Sequence, residues 1–600
     1  MISIQNKNNC CGCNACGDVC PKGAISFQTD SEGFWYPVVD AGKCVDCGLC
    51  EKVCPIINVA ELKKNDLPQS ICYAAEHKNL EVVFDSTSGG LFTALAEETY
   101  KMKGYVGGAV YGQDFKSVYH FISNERKDLE RLRSSKYLQS NVVGFYNKVK
   151  ELADAGERLL VCGTPCQMAA LRSFLGKDYE NLIIVDFICR GINSPKVWGK
   201  YLDSFEERYG SKVVWAKSKC KELGWRNLTQ KVILEDGRHI YEPKDINNFA
   251  KGYLLTGTYC RPSCYECKFK GYPRIADITL ADFWGVEKVD KSLDKDLGTS
   301  LVMLNSKKGE AFYELVKRRI KSVPVSFEEA VKGNPALTTP LPKPKVDRDK
   351  FFEDLQAMPF VDLANKYFQR APVDSFKTKI KKSLHFWKKV ASKTKLRPKA
   401  ICQFFRYNSC SDIRNRNVII PAPFCTLNIK KGAHIIKNGI SIVGDTFRFP
   451  KSHLETRLYV GSGATLELGP DTIIGYGSDI EVFENAYLKF QGHGGCNIGA
   501  TIVCADRIEF GVGTIMGRNV TLRDNNGDHY INRQGYKNTN PIVVGNKVWL
   551  CEQCTIMSGV KIGDGAIVGA RSFVIRNIPA HSMVSGNPAE VIDEDVFWKL

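Results

Sequence analysis

Two copies of one cysteine string dominate the beginning of the chain: Cys10, Cys13, Cys16, Cys20 and Pro21 return, 34 positions later, as Cys44, Cys47, Cys50, Cys54 and Pro55. The whole chain carries 24 cysteines, 17 of them before residue 268 and seven after it. The opening, MISIQNKNNC, lacks the apolar stretch of a signal peptide, and no run of 18 or more apolar residues occurs. A cytoplasmic location is therefore expected, and in a reducing compartment such density favours metal over disulfides. Six hundred residues set a prior of about four domains. A balance of 25% charged and 44% hydrophobic residues excludes disorder, collagen and a membrane bundle. The +17 net charge would suit nucleic acid or an anionic membrane surface, but as a global number it bears on association rather than chemistry, and no nucleic-acid partner is expected.

Each cysteine string reads CxxCxxCxxxCP, the spacing of bacterial two-cluster ferredoxins, in which three close thiolates hold one cubane and the fourth reaches the other. The pairing expected is Cys10, Cys13, Cys16 with Cys54, and Cys44, Cys47, Cys50 with Cys20. Zinc would need two cysteine pairs per ion instead of a run of three plus a distant fourth. AISFQTDSEGFWYPVV, between the halves, reads as two short strands around a turn at Asp30 to Gly33. Cys11 is surplus and reads as structural. This two-4Fe-4S ferredoxin domain is expected over residues 1–60.

From 68 to 345 the pattern turns α/β. Phe92, Leu95, Ala96 and Thr99, then Phe145, Val149 and Leu152, keep helical spacing, while YVGGAVYG, RLLVCG and LIIVDFI read as strands. Ser88, Gly89 and Gly90 precede the first helix, where bare backbone N–H groups and the helix dipole suit a phosphate. Ser135, Lys136 and Tyr137 offer a hydroxyl, a cation and a ring for a phosphate and a stacked ring. Either triplet also reads as an N-cap glycine pair or a surface lysine.

Four further strings, SGGLFTAL, GTPCQ, CRGINS and CYECKF followed by ADITLADFWG, occur in that order and continue into DLGTS. Together with the ferredoxin part they resemble the beta-subunit family of deazaflavin-dependent hydrogenases and formate dehydrogenases, over residues 1 to about 310. The resemblance implies a flavoprotein domain with FAD near the SGG and SKY segments. It also implies a third 4Fe-4S cluster, carried onto Cys166, Cys189, Cys264 and Cys267, with Cys260 a competing ligand in place of Cys166. Cys72, Cys162 and Cys220 read as structural. Asp277, Asp282 and Trp284 follow the last of these cysteines and are candidates for the flavin face. The hydride partner does not transfer with the resemblance.

Residues 346–410 read as a basic helical linker. Ten Lys or Arg and no acid lie between Lys377 and Lys399, and Phe376, Ile380, Leu384, Trp387 and Ala391 recur at helical spacing. Residues 376–399 would rest on an anionic membrane surface, giving a peripheral location at the inner membrane, or dock on their own protein with Pro398 marking the end.

Over 411–600 aliphatic residues recur every six positions beside Gly or Asn, as in IIGYGS, IEFGVG, VVGNKV and VKIGDG. That repeat makes a parallel β-helix. The ending GVKIGDGAIVGARSFVIRNIPAHSMVSGNPAEVI resembles the left-handed β-helix acyltransferases, sugar O-acetyltransferases among them. The resemblance implies a homotrimer, acyl-CoA as donor, and a groove bordered by Trp549, Gly569, Ala570 and Gly586. The repeat breaks at NNGDHYINRQGYKNTNP, which puts Asp524, Asp528 and His529 on an excursion. A neutral imidazole suits a general base, and Asp524 is the carboxylate expected to orient His529. His493 is the reserve candidate. Cys551 stands where the family has glycine, and with Cys554 reads as packing rather than metal binding.

The fold class expected is multidomain: a two-cluster ferredoxin-like domain, an α/β flavoprotein domain and a left-handed parallel β-helix. The function expected is a bifunctional iron-sulfur flavoprotein oxidoreductase and CoA-dependent acyl(acetyl)transferase acting on a sugar or sugar-nucleotide for a cell-surface polysaccharide, with the redox donor unassigned. The alternative is an electron-transfer subunit whose β-helix is a trimerising scaffold.

Overall fold

The computed structural model describes the chain except Lys63, Lys64, Asp66, Lys295, residues 369–375, Phe447, Arg448, Pro450, Asp528, Tyr530, Arg533, Asp595, Phe597, Lys599 and Leu600, and the side chains of 376–382. It divides into two units, Met1–Ala371 and Pro372–Leu600.

In the first unit β1 (Ile25–Thr29) and β2 (Trp35–Val39) form an antiparallel hairpin. Its turn is held by the Asp30 carboxylate, which accepts the N–H groups of Glu32 and Phe34 at 3.0 Å each. This is the hairpin expected between the cysteine strings. The module is clamped onto the rest of the unit. Asp18 accepts the N–H of Gly144 at 2.7 Å and of Tyr146 at 3.2 Å, occupying free donors at the start of helix Phe145–Asp154. Arg348 grips Glu32 bidentately at 2.8 and 2.6 Å.

Behind the module lies an eight-stranded mixed sheet built from β3 (Ile71–His77), β4 (Tyr105–Tyr111), β5 (Val118–Ser123), β6 (Leu159–Gly163) and β7 (Leu182–Phe187), then β11 (Ile278–Asp282), β12 (Ser300–Leu304) and β13 (Ile320–Val325). The order is β13-β3-β12-β11-β7-β6-β4-β5, with the run β11-β7-β6-β4 parallel. Val106, Leu160, Val185 and Ile278 on these strands are fully buried, as strands covered on both faces require. The intervening β8 (Val213–Cys220), β9 (Thr229–Leu234) and β10 (His239–Glu242) form a separate antiparallel sheet.

The segment 346–410 is not one linker. Helices Arg348–Ala357 and Phe360–Tyr367 belong to the first unit, where Phe351, Leu355, Phe360, Leu363 and Phe368 are buried with Trp198, Phe249 and Tyr259. Apolar burial outweighs the basic composition that suggested a tether. The remainder, helices Phe376–Thr394 and Pro398–Tyr407, belongs to the second unit. Phe386, Val390 and Phe404 pack there on Val418 and Ile420 of the first coil strand. Docking on the chain itself is thus the arrangement observed, and Pro398 opens the second helix instead of ending the first. Phe376 and Ile380 fall outside the described side chains.

From Val418 through strand Thr555–Ile556 each strand pairs in parallel with the third strand after it, and the coil ends with Met583–Gly586 parallel to Ile567–Val568 and antiparallel to Ala589–Asp593, which gives three sheets of nine, seven and six strands around one core. On one face Leu427, Leu458, Ile480, Ile502, Leu522, Ile556 and Val574 are register partners in succession. All are at most 5% exposed, so the stacked aliphatics are the core. This parallel β-helix is the architecture the six-residue repeat predicts. Gly495 shows why its corners need glycine: its φ is 139°, and a Cβ would lie 1.9 Å from the Ile473 carbonyl oxygen. Among the described residues no helix is long and apolar enough to cross a membrane.

Candidate functional site

The cysteines fall into three neighbouring groups. Cys10, Cys13, Cys16 and Cys54 line one small void with Cys11 at its rim, and Cys20, Cys44, Cys47 and Cys50 line a second; each has about 20 Å³ of free volume. The structure thus brings together the cysteines that the spacing pairs. Thiolate is the right donor for iron-sulfur cubanes, and the apolar walls, Ile2, Ile4 and Phe27 in one and Val39 and Leu49 in the other, suit them. Among the described residues no group of Cys, His, Asp or Glu converges tightly enough for a single metal ion. A cubane keeps its thiolates farther apart. Cys13, Cys16 and Cys54 are buried, whereas Cys47 is exposed.

The third group joins Cys166 to Cys189, Cys264 and Cys267. The thiol of Cys189 is pushed up first by burial and then by Cys264, Cys166 and Cys267, that of Cys264 by burial and then by Cys166 and Cys267, and that of Cys267 by burial and then by Cys166. Cys166 stands in the first turn of helix Pro165–Leu175, whose capping box is Thr164 and Gln167. Its thiol is lowered to about 7, chiefly by a hydrogen bond with Cys11 and further by Thr164 and the Gln167 N–H. Cys260, the rival ligand, is fully buried and donates to Asn193 Oδ1 at 3.3 Å. Cys11 is more than surplus: it touches both Cys13 of the first group and Cys166 of the third. No local spacing could have announced that, because the contact spans 155 residues.

Cys189 also lines a cavity of about 530 Å³, within the usual range for small-molecule sites. The cavity opens at the carboxyl ends of the parallel strands, against Gly108, Cys162, Gly163, Phe187 and Asp282, where open α/β sheets bind ligands. Ser88 and Gly90 stand on its wall. Gly89 beside them passes so close to β3 and β12 that a Cβ would lie 2.4 Å from the Ala75 carbonyl oxygen and 2.7 Å from the Ser300 nitrogen. Three polar groups lack partners here: Ser86 Oγ, Arg190 Nε and both ring nitrogens of His120. Burial lowers His120 to about 4, so a neutral ring faces the cavity. An aromatic wall is built by Trp284, which stacks at 4.4 Å on the buried Trp225, and by Tyr137 and Tyr253 at 5.8 Å. Such a site, apolar and ring-lined with a few orphaned polar atoms, fits a flavin.

Two expectations change. Lys136 lines the cavity, yet its ammonium is occupied by the carbonyls of Arg131, Leu132 and Arg133 at 2.7, 3.0 and 2.8 Å, and burial lowers it to about 7. It closes a helix end and does not offer a charge to a phosphate. Other cations on the cavity wall include Arg190, whose Nε lacks a partner, and Lys219, which is ion-paired with Asp282 with its Nζ 5.5 Å from the Tyr137 centroid. Ser135 donates its N–H to Thr87 Oγ1 at 3.0 Å, tying its segment to the residue that precedes the Ser88 triplet. Asp282 and Trp284 line the cavity, but Asp277 is buried elsewhere, accepting the Ile184 N–H and the Ser306 hydroxyl at 2.8 Å each.

In the second unit the excursion runs between strands Thr521–Arg523 and Ile542–Val544 and is closed by an antiparallel bridge, Asn525 to Thr539. His529 is exposed on it; Asp528 lies outside the described residues. Asp524 is not a carboxylate waiting for His529. It is fully buried, and accepts the N–H groups of Ala505, Asp506 and Arg507 at 2.8, 2.9 and 2.8 Å, tying one coil to the coil beneath. His493 pairs with Asp471 at 3.6 Å. Trp549, Gly569 and Ala570, and Gly586 belong to successive rungs of one sheet, in the register Trp549 to Ile567 and Ile567 to Met583. Cys554 is buried and Cys551 half-buried.

Residues 9–57 match the 4Fe-4S dicluster domain, 156–326 the C terminus of the coenzyme F420 hydrogenase/dehydrogenase beta subunit, and 541–576 the bacterial transferase hexapeptide repeats. Galactoside O-acetyltransferase of Escherichia coli is 33% identical over 137 residues, covering 22% of this chain and 63% of that protein. The putative colanic acid biosynthesis acetyltransferase WcaF of Escherichia coli is 51% identical over 59 residues, 10% of this chain and 32% of that protein. The chain thus spans less than two thirds of both. An uncharacterized protein of Methanocaldococcus jannaschii is 24% identical over 364 residues, 55% of this chain and 91% of that one. A chain of the F420-reducing NiFe hydrogenase complex from Methanosarcina barkeri aligns at 19% identity and TM-score 0.30, covering 51% of this chain and 93% of that one. The present chain thus carries in one polypeptide a segment matching a 4Fe-4S dicluster domain, one matching the C terminus of the F420 hydrogenase/dehydrogenase beta subunit, and hexapeptide repeats in a region similar to acetyltransferases.

Proposed function

We propose that the chain is a bifunctional enzyme, an iron-sulfur flavoprotein oxidoreductase joined to an acetyl-CoA-dependent transferase. The observation that carries the redox half is the succession of thiols from exposed Cys47, through the group of half-buried Cys10 and buried Cys13, Cys16 and Cys54, across Cys11 to Cys166, and on to Cys189 at the cavity wall. Three 4Fe-4S clusters on these groups would carry single electrons, and FAD in the cavity would exchange them for hydride chemistry. In this reading Cys166, Cys189, Cys264 and Cys267 hold the third cluster. Ser86 and Ser88 offer hydroxyls to the flavin, the Trp225–Trp284 pair excludes water, and neutral His120 accepts or donates one hydrogen bond.

In the transferase half, a left-handed coil assembled as a trimer is the reading, with acetyl-CoA along Trp549, Gly569, Ala570 and Gly586. The His529 imidazole takes the proton of an acceptor hydroxyl while its oxygen attacks the thioester carbonyl; the C–S bond breaks and CoA leaves as its thiol, reclaiming that proton. A sugar destined for a surface polysaccharide is the acceptor class, supported by the likeness to WcaF. The outward face of the basic helices, with Leu384, Trp387 and Phe405 exposed, keeps peripheral contact with an anionic membrane as a secondary use, to be read by cosedimentation with anionic vesicles.

The test is anaerobic purification with iron and flavin counted per chain: about 12 irons and one flavin are expected, and about 8 irons would remove the third cluster. His529→Ala should lower acetyl transfer by about 10²-fold or more with iron and flavin unchanged. One observation favours the second reading, an electron-transfer subunit with a scaffold coil: His529 lacks Asp524 as an orienting partner. An unchanged transfer rate in His529→Ala would select it.

A further inference from the structure

We infer that Arg261, a residue of the middle domain, sets how readily the first cysteine group's cluster accepts an electron. This rests on the cluster assignment proposed above. The Arg261 side chain is fully buried. Its Nε donates to the Cys10 carbonyl at 2.8 Å and one terminal nitrogen to Gln139 Oε1 at 3.0 Å. The other terminal nitrogen donates to the Trp35 carbonyl at 3.1 Å and to Cys10 Sγ at 3.4 Å. The guanidinium also lies 4.3 Å from the centroid of Tyr36. Gln139 is itself fixed by a bond to the Gly12 carbonyl at 3.2 Å. None of these partners is a carboxylate, so the positive charge is aimed at a ligand sulfur without being neutralised beside it.

Two cations border the second group's void, Lys22 and the Met1 ammonium, but the ammonium is neutralised by Asp46 and Glu51, and among the described residues neither cation donates to a sulfur of the group. Its sulfurs receive main-chain N–H groups only, Ala24 to Cys20 at 3.3 Å and Asp46 to Cys44 at 3.4 Å, and Cys47 is open to solvent. Adding an electron adds negative charge, which burial disfavours and which a cation or an N–H···S bond stabilises. Burial alone would make the first group the poorer acceptor and stall an electron at the exposed one. Arg261 offsets that burial. Because it belongs to the domain that also holds Cys264 and Cys267, the effect exists only while the ferredoxin module is docked.

The experiment is a redox titration followed by electron paramagnetic resonance on the full chain, purified anaerobically as wild type, Arg261→Gln and Arg261→Lys. The relevant signal is identified by its loss in Cys16→Ala. With full iron, Arg261→Gln should make that cluster about tenfold harder to reduce, about 59 mV lower for one electron, and leave the other signals within about twofold. Arg261→Lys keeps a charge without the planar fork and should give about threefold. If the glutamine variant loses iron, the lysine variant decides on the same criterion. Full-iron variants with no displaced signal overturn the inference, as does loss of this cluster from both, which would make Arg261 a clamp alone. Wild-type protein devoid of iron would instead refute the cluster assignment itself.

Discussion

Replacing Asp524 by alanine should destabilise the coil without removing any catalytic group. The carboxylate accepts three main-chain N–H groups from the adjacent rung, at 2.8 to 2.9 Å, and a fourth bond from Asn525 Nδ2 at 2.9 Å. A buried donor left without a partner costs about 1–3 kcal/mol, so three would cost roughly 3–9 kcal/mol. Asp506 and Arg507 are exposed, and water can reach their N–H groups in the variant; Ala505 is less accessible. A loss near the lower bound, about 3 kcal/mol, follows. For a unit the size of Pro372–Leu600, that lowers the midpoint of thermal unfolding by about 6–12 °C. Differential scanning calorimetry of the full chain should show this transition moving while the transition of the first unit stays. Acetyl transfer per folded molecule, measured well below both midpoints, should change little. If Asp524→Ala melts like wild type yet loses transfer at kcat, the carboxylate serves His529 after all and the structural assignment is wrong.

Gly89→Ala should reduce bound flavin more than tenfold with iron unchanged, since its Cβ would lie 2.4 Å from the Ala75 carbonyl oxygen; normal flavin content would show that the segment does not border the ligand. The pH dependence of the first unit should carry a mark of His120, held down to about 4 by burial. The unfolded imidazole takes a proton below its ordinary value near 6.5 and the folded one does not until about 4, so stability is lost as pH falls through that window, by up to about 3 kcal/mol. His120→Phe should flatten this part of the denaturation profile, and an unaltered slope would refute the burial argument.

The ferredoxin thiols and the coil were legible because their information is local. Cysteines three residues apart line one void while the next, four residues on, lines the other. Aliphatics six apart turn the coil from one face to the next, so that each stacks on a residue of the following rung, as Ile556 does on Val574. The features that escaped depend on distant partners. Arg261 meets Cys10 across 251 residues, and Cys11 acquires its role only when Cys166 is folded against it. Asp524 misled for the opposite reason: five positions from His529 it invites pairing, whereas the coil brings 505–507 beneath it. Lys136 looked like a free cation because a sequence does not display the three carbonyls that enclose it. The aromatic helices of 348–367 were hidden by neighbouring lysines, although Phe351, Phe352 and Phe360 are the residues that decide their burial.

The paired helices seated on Val418 and Ile420 have an architectural consequence. A parallel coil truncated at its first rung would present bare main-chain groups, an invitation to end-on stacking between molecules. Here the plug travels with the coil, inside its own unit. The seam with upstream sequence therefore falls beyond an already sealed terminus, which is where grafting a foreign module does least harm to either part.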